Sequence, residues 1–276
     1  MNLNWLETIV YGLVSGLTEF LPVSSQAHRT IVLNLFGERG AEPLLQFFVH
    51  MGALAAVLLS SGNFLRRILR EYRVSQRRSR RKRNVNTQFV YDYRFIKTAC
   101  IPVLLGFIFY FKTAAWATSL PLIALFLLVN GLALHLPGYL PSGNKDSRNM
   151  SSLDGFFFGL SSALGILPGV SRLGAGISAA TACGADRQHA LKWALLLSVP
   201  ALAVLSALDV YNAVQLGLSS VDAGLLLRAA ISGMFAFLGG CVSIRAMKTL
   251  LVRTGIENFS YYCWGAALFA FILYLY

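Results

Sequence analysis

The sequence predicts an all-α polytopic membrane protein, built as an inverted-topology repeat with two re-entrant, broken helix pairs. Hydrophobic residues make up 56% of the 276-residue chain and charged residues only 13%, whereas soluble domains average about 25% charged residues. A disordered chain is also excluded, because such chains are poor in apolar residues. We therefore expect one integral membrane domain over residues 1–276, with repeat halves at about 1–137 and 151–276.

Apolar segments close to the length of a helical span follow one another along the chain. We expect all of them to be helical, because unpaired backbone groups cannot face lipid. The first and fifth are interrupted by proline and glycine. In order, the segments are 5–23, 44–59, 96–111, 120–136, 156–183, 190–208, 224–247 and 259–276.

The net charge of +12 is concentrated in one stretch. Residues 63–97 hold twelve of the 24 Lys and Arg residues and only two acids, Glu71 and Asp92. The run RRSRRKR at 77–83 would suit a nucleic-acid patch in a soluble protein. Between two apolar segments it is more typical of a cytoplasmic loop that follows the positive-inside rule and touches anionic headgroups. We therefore predict a basic cytoplasmic loop at 63–97, contact with the lipid bilayer and no nucleic-acid partner.

The two halves resemble each other weakly. SGLTEFLPVSSQ at 15–26 aligns with SSALGILPGVSR at 161–172, and residues 50–58 align with 198–206 at nearly the same offset. With the basic loop in the cytoplasm, the first broken segment opens outward and the second inward, which makes the repeat inverted. Paired interruptions of this kind indicate an intramembrane site.

The first broken segment carries a polar cluster around Pro22. Glu19 lies within an apolar stretch, where an unpaired charge is costly, and Ser24, Ser25, His28 and Arg29 follow within ten residues. One interpretation is a polar turn at the membrane interface. The other is a site that combines a carboxylate, a hydroxyl and an imidazole.

The second broken segment reads PGVSRLGAG. A helix that restarts after Gly169 would present free N–H groups and the positive end of its dipole, which suits a phosphate. Arg172 adds a donor matched to phosphate oxygens. We predict that Gly169, Ser171 and Gly174 contact the ligand together with Ser24 and with His50, which lies one helix downstream. By contrast, we expect Asp154 and Asp209 to cap or flank helices.

GLTEFLPVSSQAH and LPGVSRLGAGIS are similar to the two signature regions of the undecaprenyl-pyrophosphate phosphatase family, also called BacA or UppP. The resemblance implies a hydrolase of the bacterial inner membrane that removes the terminal phosphate of undecaprenyl pyrophosphate, a polyprenyl lipid, at a site facing the outer side. It implies catalytic roles for Glu19, Ser25, His28 and Arg172, and a divalent cation, Mg²⁺ or Ca²⁺, held by Glu19.

Two mechanisms stay open. Ser25 attacks the phosphorus with His28 moving the proton, or water attacks directly with His28 as the base and Glu19 as the metal ligand. The chain departs from the usual family pattern at Ser15, Leu173 and Gly176, which replace a carboxylate or amide and two hydroxyls. We expect these departures either to slow the reaction or to change the substrate, as in a divergent paralogue of the family.

The competing function is a non-hydrolytic transporter, because inverted repeats with broken helices are also the architecture of secondary transporters. A non-catalytic membrane partner or resistance factor is a third alternative. For oligomeric state, a homodimer stays open.

Overall fold

The computed structural model describes residues 3–81, 91–141, 143–217 and 222–276, and for 77–81 it describes the backbone alone. This part of the chain is helical and contains no β-strand beyond one isolated bridge between Lys145 and Ala185. The helices are α1 (Trp5–Glu19), α2 (Ser25–Leu35), α3 (Pro43–Arg81), α4 (Tyr91–Gly106), α5 (Tyr110–Ala114), α6 (Leu120–His135), α7 (Ser152–Ala163), α8 (Arg172–Ala182), α9 (Arg187–Gln215), α10 (Ala223–Arg253) and α11 (Phe259–Leu275).

Within the described residues, five helical stretches are long and apolar enough to cross a membrane. The prediction of an all-α polytopic membrane protein is therefore confirmed. The stretches are Pro43–Gln76, Tyr91–Ala114, Leu120–Tyr139, Arg187–Gln215 and Ala223–Arg253.

Each broken apolar segment forms a pair of short helices. The α1–α2 pair is interrupted at 20–24 around Pro22, and the α7–α8 pair at 164–171 around Pro168. With 15 and 11 residues, α1 and α2 are only about 22 and 16 Å long, shorter than the ~30 Å hydrocarbon core of a bilayer. The predicted helix restart is confirmed, because α8 begins at Arg172 with Ser171 as its N-cap.

Glycines bring α1 and α3 into backbone contact with α10. A Cβ added at Gly12 or Gly16 would overlap the backbone of Ser232 or Ala236, and one at Gly52 would overlap Gly233. Small residues allow helices to approach this closely, so that packing stabilises the bundle in lipid. The α1–α2 turn is thereby fixed against the long helices.

The stretch predicted as a basic loop is helical in its described parts. Helix α3 continues to Arg81 and α4 begins at Tyr91, so 63–81 and 91–97 are helical. Lys82 and Arg83 lie outside the described residues, and the cytoplasmic location of the stretch stays a prediction. Arginine and glutamate are good helix formers. The side chain of Arg67 also bonds to Glu71 at 3.2 Å and to Asp92 at 3.0 Å, which joins the two helices.

Candidate active site

The turns of the two short helix pairs meet inside the bundle. The backbone N–H of Gly169 donates to Ser24 Oγ at 3.2 Å. Asn130 on α6, which is fully buried, joins both turns. Its amide donates to the Pro22 carbonyl at 3.1 Å and its oxygen accepts from the Ser171 N–H at 2.9 Å.

Ser24 holds an unusual backbone conformation at this junction. Its φ of +67° makes it the one non-glycine residue with positive φ in the described part of the chain. Such a conformation costs about 1–3 kcal/mol and persists where the surroundings enforce it. Here the Ser24 hydroxyl caps α2 and also accepts from Gly169, so the junction itself holds the residue.

Three predicted catalytic side chains form one hydrogen-bonded cluster. The Ser25 hydroxyl donates to Glu19 Oε2, and Arg172 Nη2 donates to Glu19 Oε1 at 2.6 Å. The Glu19 side chain is 6% exposed and that of Arg172 15%. The carboxylate is thus charge-paired on one oxygen and positioned as a proton acceptor for Ser25 on the other.

The cluster lies at two helix N-termini. Ser25 is the first residue of α2 and Arg172 is the first residue of α8. The first N–H groups of a helix have no partner within it and carry the positive end of its dipole. Two such ends beside an arginine make a site suited to phosphate oxygens.

A cavity of about 280 Å³ opens beside this cluster. Its wall includes Glu19, Ser25 and Arg172, together with Ser24 and Ser171 from the two turns. The predicted contact His50 lies in the same wall, as do side chains that the sequence did not single out, namely Tyr11, Arg39, Tyr110 and Asn212.

A second cluster of buried polar and charged side chains borders the cavity. Arg29 Nη1 lies 2.7 Å from His50 Nε2, and His50 Nδ1 lies 2.6 Å from Asp209 Oδ2. A guanidinium can only donate, so His50 Nε2 accepts and its Nδ1–H donates to the carboxylate. The expectation that Asp209 caps or flanks a helix is wrong, since its side chain is 2% exposed and pairs with His50 in the interior. The capping role of Asp154 is confirmed.

Two features of the sequence indicate this group of side chains. Arg29 lies one helical turn after Ser25, and residues four apart share a helix face. Asp209, like Glu19, is an acid next to an apolar segment, where an acid needs a partner.

His28 points away from the cavity. Its Nδ1 lies 2.8 Å from the Ser24 carbonyl and its Nε2 2.8 Å from the Tyr262 hydroxyl on α11. Its ring also stacks on that of Tyr262 with centroids 5.6 Å apart. The fold therefore brings Glu19, Ser25 and Arg172 together and turns His28 towards another helix.

The two predicted glycine contacts lie behind the cavity wall. The Gly174 N–H donates to the Ser171 hydroxyl at 3.1 Å, which completes the cap of α8. Gly169 has a φ of +118°, and a Cβ there would come within 2.6 Å of Phe126 Cβ on α6. Both glycines shape the turn against its neighbours.

The three departures from the family pattern also lie behind the wall. The hydroxyl of Ser15, which is 1% exposed, donates to the Tyr11 carbonyl at 2.5 Å. Leu173 belongs to the main hydrophobic core. Gly176 packs against Ser162 and Phe158.

The donor set around Glu19 does not fit a resident divalent cation. Ca²⁺ takes six to eight oxygen ligands, and Mg²⁺ is held by one or two free carboxylates together with waters and substrate phosphates. In the described residues no group of three or more His, Cys, Asp or Glu side chains is arranged to hold a metal ion, and both Glu19 oxygens already accept hydrogen bonds. The cation stays a prediction from the resemblance.

A second cavity lies at the opposite end of the bundle. Along α3, His50 borders the first cavity and Arg66 the second, a helical rise of about 24 Å. Along α9, Asn212 borders the first and Lys192 the second. The basic stretch therefore begins at the end of the bundle away from Ser25.

Comparisons with known proteins agree with the resemblance. Residues 8–269 match the family described as bacitracin resistance protein BacA. The chain is 31% identical to an undecaprenyl-diphosphatase of Methanobrevibacter smithii, over 97% of this chain and 96% of the relative. It is 31% identical to one of Carboxydothermus hydrogenoformans, over 95% and 94%, and 30% identical to one of Thermosipho africanus, over 96% and 98%. With the match covering nearly the whole chain, this protein belongs to the BacA family.

Proposed function

We propose that this protein is an undecaprenyl-diphosphatase, a membrane hydrolase that converts undecaprenyl diphosphate to undecaprenyl phosphate and inorganic phosphate. The observation that carries the proposal is the hydrogen-bonded cluster of Ser25, Glu19 and Arg172 in a cavity at two helix N-termini. The relatives named undecaprenyl-diphosphatase support the same reaction. The transporter alternative is not favoured, because the cluster pairs a nucleophile with a base.

In the first half of the reaction, Ser25 Oγ attacks the terminal phosphorus. Its proton moves to the Glu19 carboxylate, to which the hydroxyl already donates. The bond between the terminal phosphorus and the bridging oxygen breaks, and undecaprenyl phosphate leaves. Arg172 and the N-termini of α2 and α8 stabilise the charge on the transferred group.

In the second half, water attacks the phosphorus of the phosphoserine. The bond from phosphorus to Ser25 Oγ breaks, and the proton on Glu19 returns to that oxygen. Phosphate leaves with both protons of the water, and the carboxylate is ready for another cycle. His28 takes no proton in this scheme, because it lies outside the cavity wall and its two ring nitrogens contact the Ser24 carbonyl and the Tyr262 hydroxyl.

The topology that suits this reaction is an inverted repeat in which α1–α2 and α7–α8 are re-entrant pairs. Support comes from their short lengths and from the contact between their turns. The positive-inside rule favours a cytoplasmic location for the basic end of α3. The first cavity, about 24 Å further along α3, would then open to the outer side of the bacterial inner membrane. The oligomeric state stays open, with a homodimer as one possibility, and the absence of a nucleic-acid partner stays a prediction.

The test is phosphate release from undecaprenyl diphosphate by purified protein in detergent. Ser25→Ala and Glu19→Gln remove the nucleophile and the base with little change in shape, and each should lower kcat by about 100-fold or more. His28→Phe should keep kcat within about tenfold of the parent, because its ring packs on Tyr262. Ser178→Ala, a buried serine within α8, is the matched control and should leave the rate unchanged.

Phosphoserine formation separates the two mechanisms left open by the sequence. Rapid quenching with substrate labelled in the terminal phosphate should trap label on the protein, and Ser25→Ala should abolish it. Equal rates for the parent and Ser25→Ala would rule out the proposed nucleophile. If His28→Phe lowered kcat as much as Ser25→Ala does, a mechanism in which His28 moves the proton would be favoured instead.

A further inference from the structure

Arg29 places a second cation in the wall of the phosphate cavity, and the proposed reaction does not use it. Arg29 is only 9% exposed, so its guanidinium lines the cavity from a largely buried position. Arg29 and Ser25 lie four residues apart at the start of α2, which places both side chains on one face of the helix. A ligand that touches the Ser25 hydroxyl is therefore within reach of Arg29.

The partners of Arg29 fix its orientation and its charge. Asp209, His50 and Arg29 form a line of hydrogen bonds of 2.6 and 2.7 Å. Because Arg29 can only donate, the imidazole between them is neutral, and the positive charge stays on the guanidinium. A guanidinium carries five N–H donors, and in the described residues His50 takes one of them. The others are available to a ligand in the cavity.

We propose that Arg29, held by His50 and Asp209, binds the lipid-linked phosphate of the diphosphate and supplies the positive charge that a divalent cation was expected to bring. This inference rests on the proposed function. Arg172 binds the terminal phosphate next to Ser25, and Arg29 binds the neighbouring phosphate, so each phosphate has its own guanidinium. The carboxylate-poor donor set at Glu19 agrees with this division, because it does not fit a resident metal ion.

The first experiment measures phosphate release from undecaprenyl diphosphate in EDTA and in increasing Mg²⁺. The parent protein should keep its rate in EDTA within about tenfold of the rate with Mg²⁺. Arg29→Met should raise KM in EDTA by about tenfold or more, which is the usual effect of losing a charge-assisted hydrogen bond, and Mg²⁺ should recover part of the loss. The KM of Arg29→Lys in EDTA should lie between that of the parent and that of Arg29→Met.

Arg228→Met is the matched control. Arg228 lies near the start of α10, outside the cavity wall, so this variant makes the same change in charge at a remote position. Its KM should equal that of the parent. A parent rate in EDTA that falls to the rate of Ser25→Ala, or an unchanged KM in Arg29→Met, would overturn the proposal.

His50 and Asp209 are positioning residues in this scheme. His50→Leu and Asp209→Asn should raise KM with little change in kcat, whereas general damage to the fold would lower kcat and the folded yield. The double variant of Arg29→Met with Asp209→Asn should be no worse in KM than Arg29→Met alone, because residues acting through one contact are not additive. Additive effects would assign Asp209 a role independent of Arg29.

Binding of inorganic diphosphate in EDTA separates this inference from the proposed function. Calorimetry should give the parent and Arg228→Met the same affinity, and Arg29→Met an affinity at least about tenfold lower. If no variant released phosphate, the hydrolase proposal would fail while this comparison still decided the role of Arg29. Equal affinities in the parent and Arg29→Met would reject that role whatever the rates of hydrolysis.

Discussion

Replacing Asn130 by leucine should weaken the junction between the two broken helix pairs. The change keeps the side chain close in volume but removes the donor to the Pro22 carbonyl and the acceptor for the Ser171 N–H. Each buried backbone group left without a partner costs about 1–3 kcal/mol, which gives about 2–6 kcal/mol for the pair. Side-chain hydrogen bonds in membrane bundles average only ~0.6 kcal/mol. We therefore expect the free energy of unfolding to fall by about 2 kcal/mol, the lower end of this range.

The assay is reversible unfolding in mixed detergent micelles, read by the fluorescence of the buried Trp193. Asn34→Leu is the control, because Asn34 bonds to a carbonyl within its own helix and should cost less than about 1 kcal/mol. A leucine variant as stable as Asn34→Leu would refute the view that Asn130 fastens the two turns.

Three further predictions concern packing and caps. Gly16→Leu should abolish the folded yield, since its side chain would overlap α10, whereas Gly265→Leu, which meets open space, should be tolerated on size-exclusion chromatography. Gly176→Thr, the usual family residue, should lower the midpoint of thermal unfolding without raising the rate of hydrolysis, and adding Ser162→Gly should recover that midpoint. Asp154→Ala removes half of the α7 capping box and should cost about 1 kcal/mol in chemical unfolding.

The helices could be predicted from the sequence because their signals are local. Apolar length, the break at Pro22 and the restart at Arg172 are each readable within about 20 residues, the length of a span. The extent of α3 is not predicted in the same way, because a run of basic residues between apolar segments favours a loop, whereas α3 continues to Arg81. Arginine is a good helix former, and Arg67 gains partners on α3 and on α4.

The site could be predicted only where its members are close in sequence or related by the repeat. Glu19 and Ser25 belong to one turn, and the weak repeat linked them to Arg172. The orientation of His28 depends on Tyr262, which lies 234 residues away. The pairing of His50 with Asp209 spans 159 residues. No local pattern carries such contacts, although an acid within an apolar region signals that a partner exists.

The two largely buried arginines of the cavity wall, Arg29 and Arg172, explain why two carboxylates are buried with them. A guanidinium within an apolar bundle is costly unless it is paired, and Glu19 offsets Arg172 directly while Asp209 offsets Arg29 through the neutral His50. Each of these two arginines is therefore balanced by a carboxylate, yet both guanidiniums are already oriented. A diphosphate then meets donors that need no reorganisation, which is the condition under which electrostatic stabilisation is most effective. Although Asp209 does not contact the phosphates in this scheme, removing its carboxylate should weaken diphosphate binding. Without it, His50 no longer orients Arg29, and the positive charge of Arg29 is left without a balancing carboxylate.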